Sequence, residues 1–154
     1  MIKIGSFKDI NNTYDEVWII VRSLKAGIPK TGNCYHVPVL SPSWDLFKDY
    51  RDWANTGTWD KECFKKQYVP RFLKEMKSAE AKQALNNLYF KDKAGKNILL
   101  VCFCTDETMC HRSIIIGLLQ GVGANTNEND YRHFYKIYKE DKYPSWKRRS
   151  SNRF

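Results

Sequence analysis

The sequence predicts a single-domain α/β protein with a small, mostly parallel sheet flanked by helices, followed by a basic C-terminal tail. Two short apolar runs, 17–21 (VWIIV) and 98–104 (ILLVCFC), are rich in branched residues and lack polar alternation. This pattern is typical of strands buried on both faces, as in parallel sheets. Segments with helical spacing of apolar residues lie between and after these runs, and alternation of strands with helices favours an α/β fold.

Composition supports one folded unit. The chain has 154 residues, of which 42% are hydrophobic and 14% aromatic, enough for a core and too apolar for a disordered protein. No apolar run approaches the roughly 20 residues that cross a bilayer, and the N-terminus lacks a signal-peptide core. We therefore expect a soluble, cytoplasmic protein with no membrane partner. Its five cysteines are expected to be reduced thiols rather than a disulfide framework.

The first third of the chain is expected to supply three strands. A weak apolar start predicts a short strand at 2–4, and the run 17–21 ends at two polar residues, Arg22 and Ser23. After a loop rich in glycine and proline, residues 34–40 predict an edge strand or an extended segment, because a proline within it cannot donate to a ladder. Arg22 is a candidate for binding an anion, since a guanidinium suits bidentate recognition.

Three helices are predicted next. Ser41 or Ser43 caps the first, Thr58 or Asp60 begins the second, and residues 78–88 form the third. Pro70 is expected to kink or break the second helix. The apolar residues of the first two helices are interpreted as core residues: Trp44, Leu46, Phe47, Tyr50, Trp53, Phe64, Tyr68, Phe72, Leu73 and Met76.

The stretch 96–123 combines a strand, a polar turn and a helix. The strand is expected to run over 98–104, and the helix opens at Cys110-His111-Arg112 and stops at glycines. In open α/β sheets ligands bind beyond the carboxyl ends of the strands, and free N–H groups at a helix start attract anions. The sequence therefore predicts a ligand site where this helix begins.

This stretch resembles the DUF488 family. The likeness lies in Leu99-Leu100-Val101-Cys102, a turn that includes Asp106, and Cys110-His111-Arg112-Ser113 at the start of a helix. The run 17–23 with Arg22 is similar to the first strand of the family. The segments LSPSWDLFKDY and FKKQYVPRFLKEM are similar to its proline-serine helix start and its Phe-Lys-x-x-Tyr helix.

The resemblance covers roughly residues 15–123 and implies a Rossmann-like fold in which the shared residues lie close together. It implies no settled activity. Two positions depart from the family pattern: Cys104 stands where an acidic residue is frequent, and Val21 stands where an Asp usually precedes the strand-terminal Arg.

Three interpretations of the central turn remain open. In the first, the helix start and Arg112, joined by Arg22, hold an anionic group such as a phosphate. Cys110 beside cationic groups would then have a lowered pKa and act as a nucleophile, with His111 as acid or base. The cysteine spacings do not match a Cys-x5-Arg loop, so no phosphatase is predicted.

The second interpretation is a zinc site formed by Cys102 or Cys104 with Cys110 and His111. Adjacent Cys and His ligands, and a cysteine inside a buried strand, fit structural zinc spacing poorly, so no metal or cofactor is predicted. In the third, the cysteines only fill the core, while His111 and Arg112 hold the fold together by hydrogen bonds.

The C-terminal region is the most basic part of a chain whose formal charge is +9, with eight basic residues against two acidic ones after position 130. We expect a domain over 1–125 and a partly helical or disordered extension over 126–154, in which aromatic spacing predicts one short helix. Basic residues interleaved with aromatic ones are typical of nucleic-acid contacts. The candidates are Trp146, Lys147, Arg148 and Arg149; a merely solvated terminus is the alternative.

The preferred hypothesis is binding of a phosphate-bearing ligand, a nucleotide or a nucleic-acid end, at the Cys-His-Arg helix start. Processing of that ligand would make the protein a hydrolase or transferase. The alternative is a non-catalytic nucleic-acid-binding accessory protein that acts through the basic tail. The candidate ligand-binding residues are Arg22, Ser23, Cys102, Cys104, Thr105, Arg112 and Ser113, and the candidates for catalysis are Cys110, His111, Asp106 and Glu107.

Overall fold

The structure is a computed structural model that describes residues 1–25, 27–29, 32–140 and 153–154. Within these residues, parallel strands form one sheet in the order β1-β4-β2-β3. The strands are β1 (Ile2–Gly5), β2 (Glu16–Ile19), β3 (Cys34–His36) and β4 (Ile98–Val101). The predicted α/β class and parallel sheet are confirmed.

The two central strands carry the core. β4 pairs with β1, where Ile98 lies opposite Ile2, and with β2, where Leu99 lies opposite Val17. Every residue of β2 and β4 is buried, because helices cover both faces of the sheet. This burial explains why neither sequence run alternates between apolar and polar residues.

The helices begin where the capping residues predict. Ser43 accepts a hydrogen bond from the backbone N–H of Leu46 (3.2 Å), and Asp60 accepts one from Cys63 (2.8 Å). The helical elements are α1 (Trp44–Asn55), α2 (Lys61–Cys63), a π-helical segment (Phe64–Tyr68), α3 (Val69–Glu75), α4 (Ala79–Lys93), α5 (His111–Gly121) and α6 (His133–Lys139). Short 3-10 turns occupy Phe7–Asp9, Pro38–Leu40 and Glu107–Met109.

The expected break at Pro70 is replaced by a change of helical pitch. The π-helical segment precedes the proline, and the backbone N–H of Val69 donates to the carbonyl of Phe64, five residues back. Proline has no N–H to donate to the carbonyl four residues before it. In a π-turn the hydrogen bonds join residues five apart, so the chain remains helical from Lys61 to Glu75.

Two predicted strands end earlier than expected. β4 stops at Val101 rather than at Cys104, and the side chain of Phe103 is 63% exposed and stacks on Phe7 with ring centroids 4.6 Å apart. The predicted 34–40 strand is only three residues long, because Pro38 opens a 3-10 turn. The residues after Val101 are therefore free to turn their side chains away from the sheet.

The C-terminal helix α6 packs on α5 and α3, as the aromatic spacing predicted, with Phe134 and Tyr138 buried. α5 allows this close approach through Gly121, where a Cβ atom would overlap the side chain of Tyr135 in α6. Whether residue 125 marks a domain boundary stays a prediction. Among the described helices, none is long and apolar enough to cross a membrane.

Of the tail, the structure describes only the last two residues beyond Glu140. Phe154 is buried, and the Arg153 guanidinium lies 4.7 Å from the ring centre of Tyr89. These two residues therefore contact the rest of the domain, and the partly disordered character of the extension stays a prediction. The candidate nucleic-acid contacts Trp146, Lys147, Arg148 and Arg149 lie outside the described residues.

Candidate functional site

The candidate site lies at the carboxyl ends of β2 and β4. After β2 the chain proceeds to the neighbouring strand β3, whereas after β4 it proceeds to α5, which packs against β1 on the other side. Because the two connections leave in opposite directions, a crevice opens between them. Crevices of this kind are where ligands bind in open α/β sheets.

Four side chains of the β4–α5 connection converge in this crevice: Cys102, Cys104, Cys110 and His111. We call them the thiol cluster. Their sulfur and nitrogen atoms all lie within 4.8 Å of one another. The Sγ atoms of Cys102 and Cys110 are 3.0 Å apart, and Cys110 Sγ lies 3.6 Å from His111 Nδ1. Cys104 is partly exposed, whereas the other three members are buried.

The imidazole of His111 is held in one orientation. Its Nε2 lies 2.6 Å from the backbone oxygen of Ile20, just after β2. A carbonyl oxygen only accepts hydrogen bonds, so Nε2 carries the proton and the Nδ1 lone pair faces Cys110. The ring also packs edge-on against Phe72, with centroids 5.6 Å apart. The orientation of the His111 ring is thus set by the end of a neighbouring strand.

Arg112 lies beside the thiol cluster, but it bonds to backbone oxygens. Its Nη1 donates to the backbone oxygen of Gly5 and its Nη2 to that of Cys104 (2.8 Å), while its buried Nε makes no hydrogen bond within the described residues. The guanidinium therefore ties the end of β1 to the loop after β4. Its predicted role in holding a ligand stays a prediction, and the observed bonds match the third interpretation, a structural one.

The thiols differ in acidity. Hydrogen bonds from Cys104 and Cys110 outweigh burial and, with the charge of Arg112 nearby, lower the pKa of Cys102 to about 4. Burial, together with the neighbouring thiolate at Cys102, raises the pKa of Cys110 well above its usual range. The predicted lowered pKa of Cys110 is therefore wrong, because the prediction considered the helix start and the cations but not the desolvation of this thiol.

The cluster forms one end of a cavity of about 980 Å³. The cavity wall is mostly apolar, with seven aromatic residues in it, and three basic side chains lie along it. The aromatic lining residues are Phe7, Trp44, Phe47, Tyr50, Trp59, Tyr68 and Phe103, and the basic ones are Arg22, Lys25 and Arg51.

The aromatic wall corrects the interpretation of α1. Only Leu46 of that helix is fully buried, while Trp44 is 60% exposed and Phe47 and Tyr50 are partly exposed toward the cavity. Trp59, from the loop before α2, meets Tyr50 edge-on at 4.8 Å. The signal that could have shown this is the density of aromatic residues between 44 and 59, which exceeds what one buried helix face requires.

Of the remaining predicted ligand-binding residues, two line the cavity and two do not. Arg22 and Ser23 line the cavity, but Arg22 also donates from Nε to the backbone oxygen of Pro42 (2.9 Å) and from Nη2 to that of Ser41 (3.3 Å). Ser113 is buried in α5, where its hydroxyl donates to the backbone oxygen of Cys110 (2.7 Å). Thr105 is exposed on the loop and does not line the cavity.

The two candidate acids make hydrogen bonds outside the cavity instead. Asp106 Oδ1 accepts hydrogen bonds from the backbone and hydroxyl of Thr108 (3.0 and 2.6 Å), which lower the pKa of this carboxyl. Glu107 Oε2 accepts from the hydroxyl of Tyr131 (3.0 Å). Neither residue lines the cavity, so the structure brings Cys110 and His111 together but not these carboxylates. Their role in proton transfer stays a prediction.

Comparison with known families finds a match over most of the chain. The family model DUF488-N3a, described as the active DUF488-N3 subclade, matches residues 2–123. This span contains the four strands, the thiol cluster and the residues that line the cavity, and it ends before α6. Comparisons with curated proteins and with solved structures find no match.

Proposed function

Since the chain belongs to the DUF488 family and matches a subclade described as active, we propose that it binds a phosphate-bearing, nucleotide-type ligand, which it processes beside the thiol cluster. The ligand is a nucleotide or a nucleic-acid end. The observation that carries this proposal is the cavity, in which aromatic walls, basic side chains and the thiol cluster face a common space.

The aromatic wall supports a ligand with a flat ring. Trp44 and Phe103 are 60% and 63% exposed, so a large part of each side chain is left uncovered by the protein. Stacking of a base on such a side chain contributes about 1–3 kcal/mol, with little dependence on which base it is. The cavity of about 980 Å³ lies at the upper end of the size range of small-molecule sites, which suits a whole nucleotide.

The basic side chains support an anionic group on the same ligand. Arg22, Lys25 and Arg51 line the cavity, and the Arg51 guanidinium lies 5.8 Å from the ring centre of Phe47. A cation beside an aromatic wall can contact a phosphate while the base stacks nearby. The formal charge of +9 also attracts anionic ligands over longer distances.

The test of the anion contact is isothermal titration calorimetry with nucleoside monophosphates, the matching nucleosides and inorganic phosphate. We expect the nucleotides to bind more tightly than either part alone. Arg51→Gln should weaken nucleotide binding about 10-fold and leave nucleoside binding unchanged, because only the charge-assisted contact is lost. The control is Lys48→Gln, an exposed position on the same helix that does not line the cavity.

The test of the aromatic contact is Trp44→Ala, which should weaken nucleotides and nucleosides alike by about 10-fold. Phe90→Ala serves as the matched control, since Phe90 is 55% exposed and lies outside the cavity. The proposal fails if nothing in the panel binds, or if each control variant loses as much affinity as its partner.

The alternative, nucleic-acid binding through the tail, needs a separate variant. Replacing Lys147, Arg148 and Arg149 by Ser removes three positive charges without deleting the packed Phe154. If this variant loses salt-dependent binding of a short oligonucleotide while Arg51→Gln keeps it, the tail is the binding surface and the cavity proposal is wrong for nucleic acids.

A further inference from the structure

We propose that the thiol cluster, Cys102, Cys104, Cys110 and His111, binds one Zn²⁺ ion. Three sulfurs and one imidazole nitrogen, all within 4.8 Å of one another, form a set of four ligands around one point. Zn²⁺ prefers thiolate and imidazole ligands in tetrahedral arrangement, and Cys₃His is one of its usual structural sets. This inference does not depend on the identity of the ligand in the cavity.

The distances suit an ion of this size. Zn–S bonds of about 2.3 Å and Zn–N bonds of about 2.0 Å in a tetrahedron place the ligand atoms roughly 3.5–3.8 Å apart. The observed 3.6 Å between Cys110 Sγ and His111 Nδ1 lies in this range, whereas the 3.0 Å between the sulfurs of Cys102 and Cys110 is shorter, so these two sulfurs must move apart to admit the ion. Small rotations of the side chains would bring all four atoms to bonding distance.

The sequence raised an objection to a zinc site, namely that one of the cysteines would lie inside a buried strand. The early end of β4 removes this objection. A cysteine within a buried strand would point into the core, but β4 stops at Val101, so Cys102 and Cys104 belong to the loop. Cys110 is the N-cap residue of α5 and His111 its first residue, where the extended backbone of Cys110 lets both side chains face the loop. Adjacent Cys and His residues thus contribute to one cluster.

His111 already has the hydrogen bond of a metal ligand. Histidines that bind metals usually donate their other ring N–H to a carbonyl or carboxylate, which fixes the tautomer and orients the ring. Here Nε2 lies 2.6 Å from the backbone oxygen of Ile20, and Nδ1 faces the sulfurs. An imidazole that only filled space would not need to place Nδ1 beside the sulfur of Cys110 and within 4.8 Å of the other two.

Arg112 supplies the charge that the bound ion requires. Three thiolates and a neutral imidazole on Zn²⁺ carry a net charge of −1, which is costly to bury without a counter-charge. The guanidinium of Arg112 is buried beside the cluster, and its Nη2 donates to the backbone oxygen of Cys104, one of the proposed ligands. Arg112 therefore orients a ligand-bearing loop and balances the site.

A disulfide between Cys102 and Cys110 accounts for fewer of the observations. It would need their sulfurs at about 2.05 Å, and it would leave Cys104 and the directed lone pair of His111 without a role. The metal also changes the chemistry available in the cavity. Zinc binding occupies the sulfur of Cys110, so a ligand entering the cavity meets a metal–thiolate centre rather than a free nucleophilic thiol.

The first test is the metal content of the full-length protein, purified without chelators, by inductively coupled plasma mass spectrometry. We expect one Zn²⁺ per chain. After removal of the metal, Co²⁺ should bind with the visible bands of a tetrahedral site and a near-ultraviolet thiolate-to-cobalt band of three-thiolate intensity. These spectra identify ligand type and number, which a content measurement does not.

The second test compares a variant of one proposed ligand with variants of the two cysteines outside the thiol cluster. Cys104→Ser removes the partly exposed ligand, so it is the ligand variant that disturbs the core least, and it should lower Zn²⁺ affinity by more than about 100-fold in a chelator competition. Cys34→Ser and Cys63→Ser change buried cysteines outside the cluster and should bind Zn²⁺ like the wild type. Circular dichroism checks that each variant folds.

Three results would overturn the proposal. The first is a protein that is purified without metal and also fails to give the thiolate-to-cobalt band. The second is a mass 2 Da below the expected one, which reveals a Cys102–Cys110 disulfide in the isolated protein. The third is equal Zn²⁺ affinity in Cys104→Ser and Cys34→Ser. Because Zn²⁺ and nucleotide binding are measured separately, loss of one proposal leaves the other standing.

Discussion

The amino ends and the carboxyl ends of the parallel strands bury polar groups in opposite ways. We call these two sides of the sheet the amino edge and the carboxyl edge. At the amino edge, opposite charges meet: Glu16 Oε2 lies 2.8 Å from Lys91 Nζ, and the buried Asp92 carboxylate lies 2.9 Å from the amino group of Met1. At the carboxyl edge, three thiols and an imidazole converge on a cavity, and Arg112 bonds to backbone oxygens rather than to a carboxylate.

Under the two proposals above, this difference separates a structural edge from a functional one. The paired charges at the amino edge neutralise each other. At the carboxyl edge the lone pairs of sulfur and nitrogen face one another, an arrangement that gains stability from a bound cation rather than from the protein alone. The comparison therefore predicts that changes at the amino edge affect only stability, whereas changes at the carboxyl edge also affect binding.

The largest effect on stability is expected for Arg112→Met, which keeps the length of the side chain but removes its donors. The backbone oxygens of Gly5 and Cys104 would lose their hydrogen bonds in a buried place, so we expect the free energy of unfolding to fall by about 3 kcal/mol or more. Urea unfolding followed by circular dichroism measures it.

The control for Arg112→Met is Arg71→Met. Arg71 pairs with Asp49 at 2.6 Å, but both side chains are more than one third exposed, so its loss should cost less than about 1 kcal/mol. If the two variants were equally destabilised, the buried hydrogen bonds of Arg112 to Gly5 and Cys104 would contribute no more stability than an exposed ion pair.

An intermediate effect is expected at the amino edge. Glu16→Gln leaves Lys91 and Lys96 without their counter-charge and should lower the free energy of unfolding by about 1.5–2 kcal/mol at pH 7, with no change in metal or nucleotide binding. A change in either binding property would contradict the assignment of this edge as purely structural.

The contribution of Glu16 should also depend on pH. Burial raises the pKa of this carboxyl, but hydrogen bonds from Lys91 and Trp18 and the charges of Lys91 and Lys96 outweigh it, so the pKa lies below the ordinary 4.5. The unfolded chain therefore binds this proton first, and the stability that Glu16 provides is full above about pH 4.5 and is lost as the pH falls through the folded pKa. Unfolding curves of wild type and Glu16→Gln should converge in that acidic range.

The smallest effect is expected away from both edges. Glu62 and Lys66 form a helical pair at 3.0 Å, yet their side chains are 66% and 70% exposed, so Glu62→Gln should change the free energy of unfolding by less than about 0.5 kcal/mol. A loss as large as that of Glu16→Gln would show that burial is not what distinguishes the charges of the amino edge.

Much of the fold could be predicted from local patterns. The runs 17–21 and 98–104 identified the two central strands, and the predicted pairs of alternative caps contained the observed ones, Ser43 and Asp60, because burial on two faces and capping are properties of neighbouring residues. The end of β4 at Val101 could not be predicted, since the apolar character of the chain continues through Cys104 while its strand pairing stops.

The sequence predicted where in the fold the candidate site lies, but not which side chains surround it. The motif Cys110-His111-Arg112 identified the crevice, but Arg112 was expected to hold a ligand, and the aromatic residues of α1 were expected to fill the core. Trp44 lines the cavity instead. Sequence patterns show which residues are apolar or charged, whereas the space that remains beside them depends on how helices pack.

What the sequence alone determined is the set of elements, their parallel arrangement and a cysteine-histidine motif at a helix start beyond a buried strand. Only the tertiary structure decided which groups meet there. The bond from His111 to Ile20 joins residues 91 positions apart, and the bond from Arg112 to Gly5 spans 107. Contacts at such separations depend on the order of strands in the sheet, which places the ends of β1, β2 and β4 side by side.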